Sequence, residues 1–321
     1  MDIVKIAPQP TIILAEETGK GATHRERFPQ RLERYGAAKA ASTAMADYIK
    51  QEQPDHTKLL TSLAECGNWL LFRDYYTADQ IRLASASFCR KHLLCQFCAI
   101  RRGAKLVEQK MKQVNQVLSE NPHLEMHMMT LTVKDGPDLK ERFNHLTSNV
   151  SAFMKKRHKQ RGSQAENIMG AVFSFEVKRG SGSGFWHPHA HSVILVDPSN
   201  RVNQAQLSKE WHDQTGDSFI VDVRPIKCGN EDDKAKAFCE VFKYALKFSS
   251  QPAVDTWNCY STLNKRRFVT SYGLLYGVKE PLTLADCLLD ELPYIEYFYV
   301  HFRNSGYALK PSPRQRENLL A

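Results

Sequence analysis

The 321-residue sequence lacks an apolar run long enough to cross a membrane. Its apolar stretches, such as Val193 to Val196, are far shorter than the roughly 20 residues that a spanning helix needs. The first residues, MDIVKIAPQPTIILAEE, also lack the basic start and long apolar core of a secretory signal. We therefore expect a cytoplasmic protein with no membrane partner, whose cysteines are free thiols or metal ligands instead of disulfides.

The sequence has fewer acidic than basic residues. The chain has 35 Asp and Glu residues against 44 Lys and Arg, which gives a net charge of +9. This surplus fits a polyanionic partner, and the phosphate backbone of DNA is the commonest one. Short basic runs are more often solvated surface, so they do not establish DNA binding by themselves. The candidate segments for phosphate contacts are Arg101-Arg102, Lys155-Lys156-Arg157 and Lys265-Arg266-Arg267.

Hydrophobic periodicity predicts an α+β protein. Short apolar runs indicate strands, and apolar residues spaced by three or four indicate helices. The order of these elements, with a Gly/Ser-rich connection at 178–184, predicts an antiparallel sheet with helices on one side. The predicted strands span 126–133, 169–177, 188–196 and 218–223, and the predicted helices span 37–51, 105–118, 137–156, 204–214 and 232–248.

Three histidines lie within five residues where the third strand begins. His189 and His191 are two residues apart, so on a strand they share a face and can chelate one ion. Glu176, at the end of the preceding strand, is the expected third ligand, and His187 is the alternative. Two imidazoles and a carboxylate suit Mn²⁺ or Mg²⁺ acting on phosphate oxygens, and ligand type alone leaves Zn²⁺ open. The competing interpretation is one buried core histidine with the others on the surface.

The predicted helix 232–248 carries a candidate nucleophile. Glu240 and Tyr244 are four residues apart, so they stack on one face about 6 Å apart along the axis. Lys247 lies near that face, and a nearby positive charge favours the phenolate of Tyr244. The same spacing also occurs in helices whose charges are merely solvated, so the motif is suggestive only together with the histidines.

Four cysteines predict a structural metal site. Cys95 and Cys98 form a Cys-x₂-Cys pair, and Cys66 and Cys89 lie upstream of it. In a reducing compartment this set predicts one tetrahedral Zn²⁺, with buried free thiols as the alternative. The other four cysteines show no such pairing and are expected in the core; they are Cys228, Cys239, Cys259 and Cys287.

Taken together, the motifs resemble those of a known family. Their order is Thr130-Leu131-Thr132, then His187-Pro188-His189-Ala190-His191, then Glu240-x-x-x-Tyr244-x-x-Lys247. This set resembles the rolling-circle replication initiator (Rep) proteins of small bacterial plasmids, within the HUH (His-hydrophobic-His) endonuclease superfamily. The cysteine-bearing stretch up to Arg102 is similar to the segment before the nuclease domain there, although that family often has Cys-Pro-x-Cys where this chain has Cys95-Gln96-Phe97-Cys98. The similarity covers roughly residues 60 to 250.

The resemblance implies an HUH-type sheet, a zinc-binding segment before it and a role for each motif residue. Tyr244 would attack the scissile phosphate, leaving a 5′-phosphotyrosine and a free 3′-hydroxyl that primes synthesis. Glu240 would be the base for the water that ends the cycle. His189, His191 and Glu176 would hold the metal that polarises the phosphate. The implied partners are the plasmid double-strand origin, its single-stranded nick site and a host helicase.

The predicted organisation has four parts: a polar, helical extension at 1–60, a cysteine-rich zinc segment and helix at 61–118, the nuclease domain at 119–250, and a C-terminal region at 251–321 without an assigned role. Two other functions are open at this point. HUH transposases share the histidine motif, but they tend to use a second tyrosine where this chain has Glu240. A non-catalytic zinc-bearing DNA-binding regulator would leave Tyr244 with a structural role.

Overall fold

The computed structural model describes residues 27–226, 241, 251–278, 292–303 and 305–311. Two compact units make up the chain, one of residues 1–101 with 282–321 and the other of residues 102–281. Among the described residues, no helix combines the length and the apolar character needed to cross a bilayer. The elements in chain order are α1 Phe28–Glu52, α2 Thr57–Glu65, β1 Trp69–Tyr75, β2 Gln80–Ala86, α3 Gln96–Glu120, β3 Glu125–Thr132, α4 Leu139–Lys156, β4 Ile168–Arg179, β5 Trp186–Val196, α5 Gln204–Thr215, β6 Val221–Pro225, α6 Ala253–Leu263, β7 Val269–Gly273, β8 Ile295–Phe302 and β9 Gly306–Lys310.

The first unit contains a four-stranded antiparallel sheet of order β2-β1-β8-β9. Along β1, buried residues alternate with half-buried ones, as expected for a strand with one face turned inward. Leu70 and Phe72 on that face are fully buried. The ring of Phe72 meets that of Phe28 from α1 edge-on, with centroids 4.9 Å apart. Helix α1 therefore covers the inner face of this sheet.

The second unit contains a five-stranded antiparallel sheet of order β6-β3-β5-β4-β7. The prediction of a mixed helix and antiparallel-sheet protein is thus confirmed. The four predicted strands correspond to β3, β4, β5 and β6 with small shifts at their ends. The centre of the sheet is β5, which carries the three histidines.

The prediction that helices lie on one side of this sheet is wrong, because helices pack on both faces. Val114 and Val117 of α3 pack with Val193 of β5 on one face. On the other face, the ring of Phe143 from α4 meets that of Phe175 from β4 at 6.1 Å. The reason lies in β5 itself: residues 193–196 are all fully buried, so both faces of this strand must be covered.

Candidate functional site

The histidine motif lies in a hairpin formed by β4 and β5. The backbone N–H of Gly180 donates to the carbonyl of Phe185 at 2.8 Å and helps to close the hairpin. Its register places Glu176 directly opposite His189, and His191 lies two residues further along β5. Since side chains alternate between the faces of a strand, these three residues point to the same face. The structure therefore brings together the three residues that the sequence singled out.

The ligand atoms of Glu176, His189 and His191 lie within 4.8 Å of one another. The Nε2 atom of His189 is 2.5 Å from Oε2 of Glu176, and the Nε2 atom of His191 is 3.3 Å from the same oxygen. Ligands bound at right angles around one ion at about 2.1 Å lie about 3 Å apart. The spacing of the two nitrogens from the carboxylate therefore fits a shared cation.

The Glu176 carboxylate is buried, with only 8% of its side chain exposed. Burial by itself would raise the pKa of Glu176, but hydrogen bonds with His189 and His191 outweigh it and lower the pKa to about 2. The carboxylate is therefore negative at neutral pH. A buried negative oxygen between two imidazole nitrogens is a donor set that suits a divalent cation.

Two hydroxyl groups on neighbouring strands border this cluster. Oγ1 of Thr130 on β3 lies 3.2 Å from Nδ1 of His191. When Thr130 accepts the Nδ1 proton, the lone pair of Nε2 of His191 is left free to bind a cation held beside Glu176, as in a metal ligand. The hydroxyl of Ser174, opposite His191 on β4, is buried and has no hydrogen-bond partner within the described part of the chain. A water molecule on a bound ion would satisfy that hydroxyl, so the residues present fit a hydrated divalent cation.

His187 stands apart from this group. Its ring centroid is 5.5 Å from that of His189, and its nitrogens do not belong to the converging set. Burial, together with the charges of His189 and Lys178, lowers the pKa of His187. The geometry therefore favours Glu176 over His187 as the third ligand.

The second converging group consists of four cysteine sulfurs in the first unit. Sγ of Cys66 is 3.4 Å from that of Cys95 and 3.5 Å from that of Cys98, and Sγ of Cys89 is 3.6 Å from that of Cys98. A disulfide requires about 2.05 Å, so these are free thiols. Sulfurs bound at about 2.3 Å in a tetrahedron lie about 3.8 Å apart. The spacing of the four sulfurs thus suits a tetrahedral metal ion such as Zn²⁺.

Backbone amides also point at these sulfurs. The N–H of Cys89 donates to Sγ of Cys66, and the N–H of Cys98 donates to Sγ of Cys95, each at 3.4 Å. Hydrogen bonds from Cys66, Cys89 and Cys98 lower the pKa of Cys95. Donors around a thiolate stabilise its negative charge and orient it toward a metal.

Helix α1 supplies two polar groups beside the cysteines. Oγ of Ser42 lies 3.2 Å from Sγ of Cys95. Lys39 is buried, and its Nζ donates to the carbonyl of Ala64 at 2.7 Å. Burial lowers the pKa of Lys39, and the charges of Cys66 and Cys95 oppose that shift. A cation here partly offsets the negative charge that four thiolates bring to a metal site.

The candidate nucleophile and its neighbours lie outside the described residues; they are Glu240, Tyr244 and Lys247. Val241, which falls between the first two in sequence, is described. It is fully buried and belongs to the same apolar cluster as Val193 of β5. Val193 follows His191 by two residues and therefore shares its face of the sheet.

The other predicted positions are spread over the described surface and core. Arg101 places its guanidinium over the ring of Phe88 at 4.3 Å, and Arg266 donates to the side chain of Asn144. Cys259 is fully buried in α6, as the sequence predicted, and burial raises its pKa to about 12. Cys228, Cys239 and Cys287 lie outside the described residues.

Sequence reasoning missed the residues that support the two clusters. Thr130 belongs to the Thr130-Leu131-Thr132 motif, but its hydroxyl contact with His191 depends on the pairing of β3 with β5. Ser42 and Lys39 gave no signal, because they reach the cysteines from a separate helix. Both sets of contacts join segments that are distant in sequence.

Comparison with known proteins gives consistent descriptions. The profile of the family described as Replication protein matches residues 80–296. A protein named "Protein rep" from Streptococcus pneumoniae serotype 2 is 26% identical over 270 residues, which cover 80% of this chain and 82% of that protein. A "Protein rep" from Lactiplantibacillus plantarum is 27% identical over 241 residues, 69% of this chain and 74% of that protein. A "Replication protein" from Staphylococcus aureus is 25% identical over 196 residues, 56% of this chain and 82% of that protein. No solved structure matches.

Proposed function

The chain belongs to the Replication protein family, and from this membership we propose that it initiates rolling-circle plasmid replication by nicking one DNA strand through Tyr244. Membership in this family also confirms the resemblance to plasmid replication initiators that the motifs indicated. The nicking chemistry is what the resemblance to rolling-circle initiators implies for these residues.

The observation that carries the proposal is the convergence of Glu176, His189 and His191 on one face of the β4–β5 hairpin. The matched family segment, residues 80–296, includes these three residues and Tyr244. The burial of Val241 in the same apolar cluster as Val193 adds support, because Val193 lies on the same face as the candidate ligands and Val241 precedes Tyr244 by three residues. This is the arrangement expected if the nucleophile faces the cation.

In the proposed reaction, the phenolic oxygen of Tyr244 attacks the phosphorus of the scissile phosphodiester and loses its proton. The bond from phosphorus to the 3′-oxygen breaks, which leaves a 5′-phosphotyrosine and a free 3′-hydroxyl. Lys247 favours the phenolate by its positive charge. Glu240 later accepts a proton from the water that hydrolyses the phosphotyrosine. A bound Mn²⁺ or Mg²⁺ supplies Lewis-acid polarisation of the phosphate.

The proposal includes the rest of the predicted organisation. Strands β3 to β6, with the histidines on β5, support an HUH-type nuclease domain at 119–250, and β7 of the region 251–321 adds a fifth strand to its sheet. The four converging thiols support one structural Zn²⁺ in the segment 61–118. We infer DNA as the principal partner, a host helicase for strand separation and a cytoplasmic location. The other two parts of the predicted organisation are the extension at 1–60 and the C-terminal region at 251–321.

The test is cleavage of an end-labelled single strand from the plasmid origin, with Mn²⁺ or with a chelator, resolved on a denaturing gel. The wild-type protein is expected to form a covalent adduct only with Mn²⁺. Tyr244→Phe is expected to bind the strand and form no adduct. Glu240→Ala should still form the adduct but release it slowly, and His189→Ala should lose both steps.

The matched control is Tyr276→Phe, which removes the same hydroxyl from an exposed tyrosine after β7. It is expected to cleave like the wild-type protein. An adduct formed by Tyr244→Phe would show that another tyrosine is the nucleophile. A wild-type protein that binds the strand and leaves it intact would favour the DNA-binding regulator. Loss of cleavage itself in Glu240→Ala would mean that Glu240 activates or positions Tyr244.

A further inference from the structure

The face that carries the candidate metal ligands continues past them to an exposed end of the sheet. Phe185 directly precedes β5 and, by the alternation of the strand, shares the face of His187 and His189. Its side chain is 46% exposed. Lys178, opposite His187 on β4, is exposed as well. An apolar ring and a cation therefore lie outward from the cluster along the hairpin.

A second exposed apolar side chain, that of Ile220, borders the cluster of Glu176, His189 and His191 on the side of β3 and β6. Thr132 pairs with His189, and its backbone N–H and hydroxyl both donate to the carbonyl of Ile220, at 3.3 and 3.0 Å. Because Asp222 lies opposite Thr130 in β6, Ile220 falls opposite Thr132 and on the same face. Ile220 is 61% exposed. It lies two strands away from β5, at a distance of about 10 Å.

The charges at this end of the sheet are mainly positive where they face solvent. Lys134 follows Thr132 by two residues and is exposed. Two carboxylates are also present, and each has a partner. Asp135 accepts a hydrogen bond from Ser183, and Asp222 pairs with Arg224 at 2.7 Å. Lys134 and Lys178 therefore remain the groups best suited to neighbouring phosphates.

The loop that presents Ile220 is held in place from two directions. Asp217 accepts hydrogen bonds at 2.9 Å from both terminal nitrogens of Arg142, whose side chain is only 11% exposed. Oγ of Ser218 accepts a hydrogen bond at 2.7 Å from the backbone N–H of Lys134. The β3–α4 and α5–β6 loops are thus fastened to each other. A fixed loop can present an apolar side chain without a large ordering cost on binding.

We propose that Phe185 and Ile220 contact unpaired bases of single-stranded DNA on two sides of the phosphate bound at Glu176, His189 and His191, while Lys134 and Lys178 contact the adjoining phosphates. This inference rests on the proposed function. Aromatic and apolar side chains hold single strands through the faces of the bases, which a duplex hides by stacking. The occupant is therefore an unpaired strand in continuity with the metal site.

The chain offers a matched control for this proposal. Phe219 is next to Ile220 and equally exposed, at 62%. It is one residue out of phase, so it shares the face of Val221, which lies opposite Leu131 and away from the cluster. A general loss of surface hydrophobicity would affect Phe219 and Ile220 alike, whereas the proposed contact distinguishes them.

The experiment measures fluorescence anisotropy of a labelled oligo(dT) strand in chelator, so that no cleavage occurs, and of an equal-length duplex. Phe185→Ala is expected to weaken single-strand binding about tenfold and Ile220→Ala about threefold, as loss of a base contact predicts. Phe219→Ala should change it less than about twofold. All three variants should melt like the wild-type protein, because the replaced side chains are exposed.

Equal binding of the oligonucleotide by Phe185→Ala, Ile220→Ala and the wild-type protein would overturn the proposal. So would an equal loss in Phe219→Ala, or a loss confined to the duplex. Adduct formation by the wild-type protein with Mn²⁺ is measured in parallel. An intact adduct with no effect of these substitutions refutes the base contacts alone, whereas the absence of any adduct refutes the nicking function.

Discussion

Replacing Thr130 with valine tests whether the imidazole of His191 is oriented for metal binding. The substitution keeps the branched shape of the side chain and removes the hydroxyl that lies 3.2 Å from Nδ1 of His191. A neutral hydrogen bond contributes about 1 kcal/mol net, and about 1.4 kcal/mol corresponds to a tenfold change in affinity. Loss of the contact alone should therefore weaken Mn²⁺ binding about fivefold. Freedom of the ring to rotate should bring the loss to about tenfold or more.

Isothermal titration of the full-length protein with Mn²⁺ measures this change directly. Thr132→Val is the matched control, because it removes the same hydroxyl two residues along the same strand. That hydroxyl donates to the carbonyl of Ile220 at 3.0 Å. Thr132→Val is therefore expected to bind Mn²⁺ like the wild-type protein.

Two results would refute the reasoning. If Thr130→Val binds Mn²⁺ as tightly as the wild-type protein, Thr130 does not orient His191. If Thr132→Val loses as much affinity as Thr130→Val, the effect comes from general loosening of β3. Melting of both variants, followed by circular dichroism, separates a local change at the site from a loss of folded protein.

Two further changes probe the structure around the sites. Asp217→Asn should reduce the free energy of unfolding by about 2 kcal/mol at neutral pH, because it removes the charge of the carboxylate that accepts hydrogen bonds from both terminal nitrogens of Arg142. Although burial opposes it, hydrogen bonds from Ser218 and Arg142 lower the pKa of Asp217, so the stability it contributes is present above its unfolded pKa of about 3.9 and is lost as the pH falls further. Urea melts at several pH values check this, and a difference that persists unchanged in acid would contradict it. Cys98→Ser should abolish tightly held zinc in protein purified without chelator, whereas Cys259→Ser, equally a buried thiol, should keep it; equal zinc content by elemental analysis would contradict the four-cysteine site.

The β4–β5 hairpin was predictable because its signals are local. The spacing of His189 and His191 matches the period of a strand, and a short Gly/Ser-rich loop returns the chain beside Glu176. The start of α3 was harder to predict: the periodicity predicts a helix only from residue 105, yet the helix begins at Gln96. Cys98 therefore lies in its first turn. The spacing of apolar residues alone did not indicate that α3 continues back from residue 105 as far as the cysteines.

The long-range parts of the fold could not be predicted from the sequence. Strand β8 pairs with β1, so that Phe298 lies opposite Leu71, and more than two hundred residues separate them. Apolar periodicity identifies a strand, but it does not show with which other strand it forms hydrogen bonds. For the same reason the sequence did not identify Lys39 and Ser42, because their role depends on contacts with residues outside their own helix.

The strand order of the first unit means that its sheet can be completed only late in synthesis. Because β1 lies between β2 and β8, a nascent chain that has not yet reached Ile295 holds the β1–β2 hairpin with one edge of β1 unpaired. A two-stranded ribbon is marginally stable in water, and its open edge invites pairing with other chains. The strands of the second unit have all been translated by then. A ribosome that stops before β8 and β9 would thus release a chain prone to aggregate through its N-terminal half.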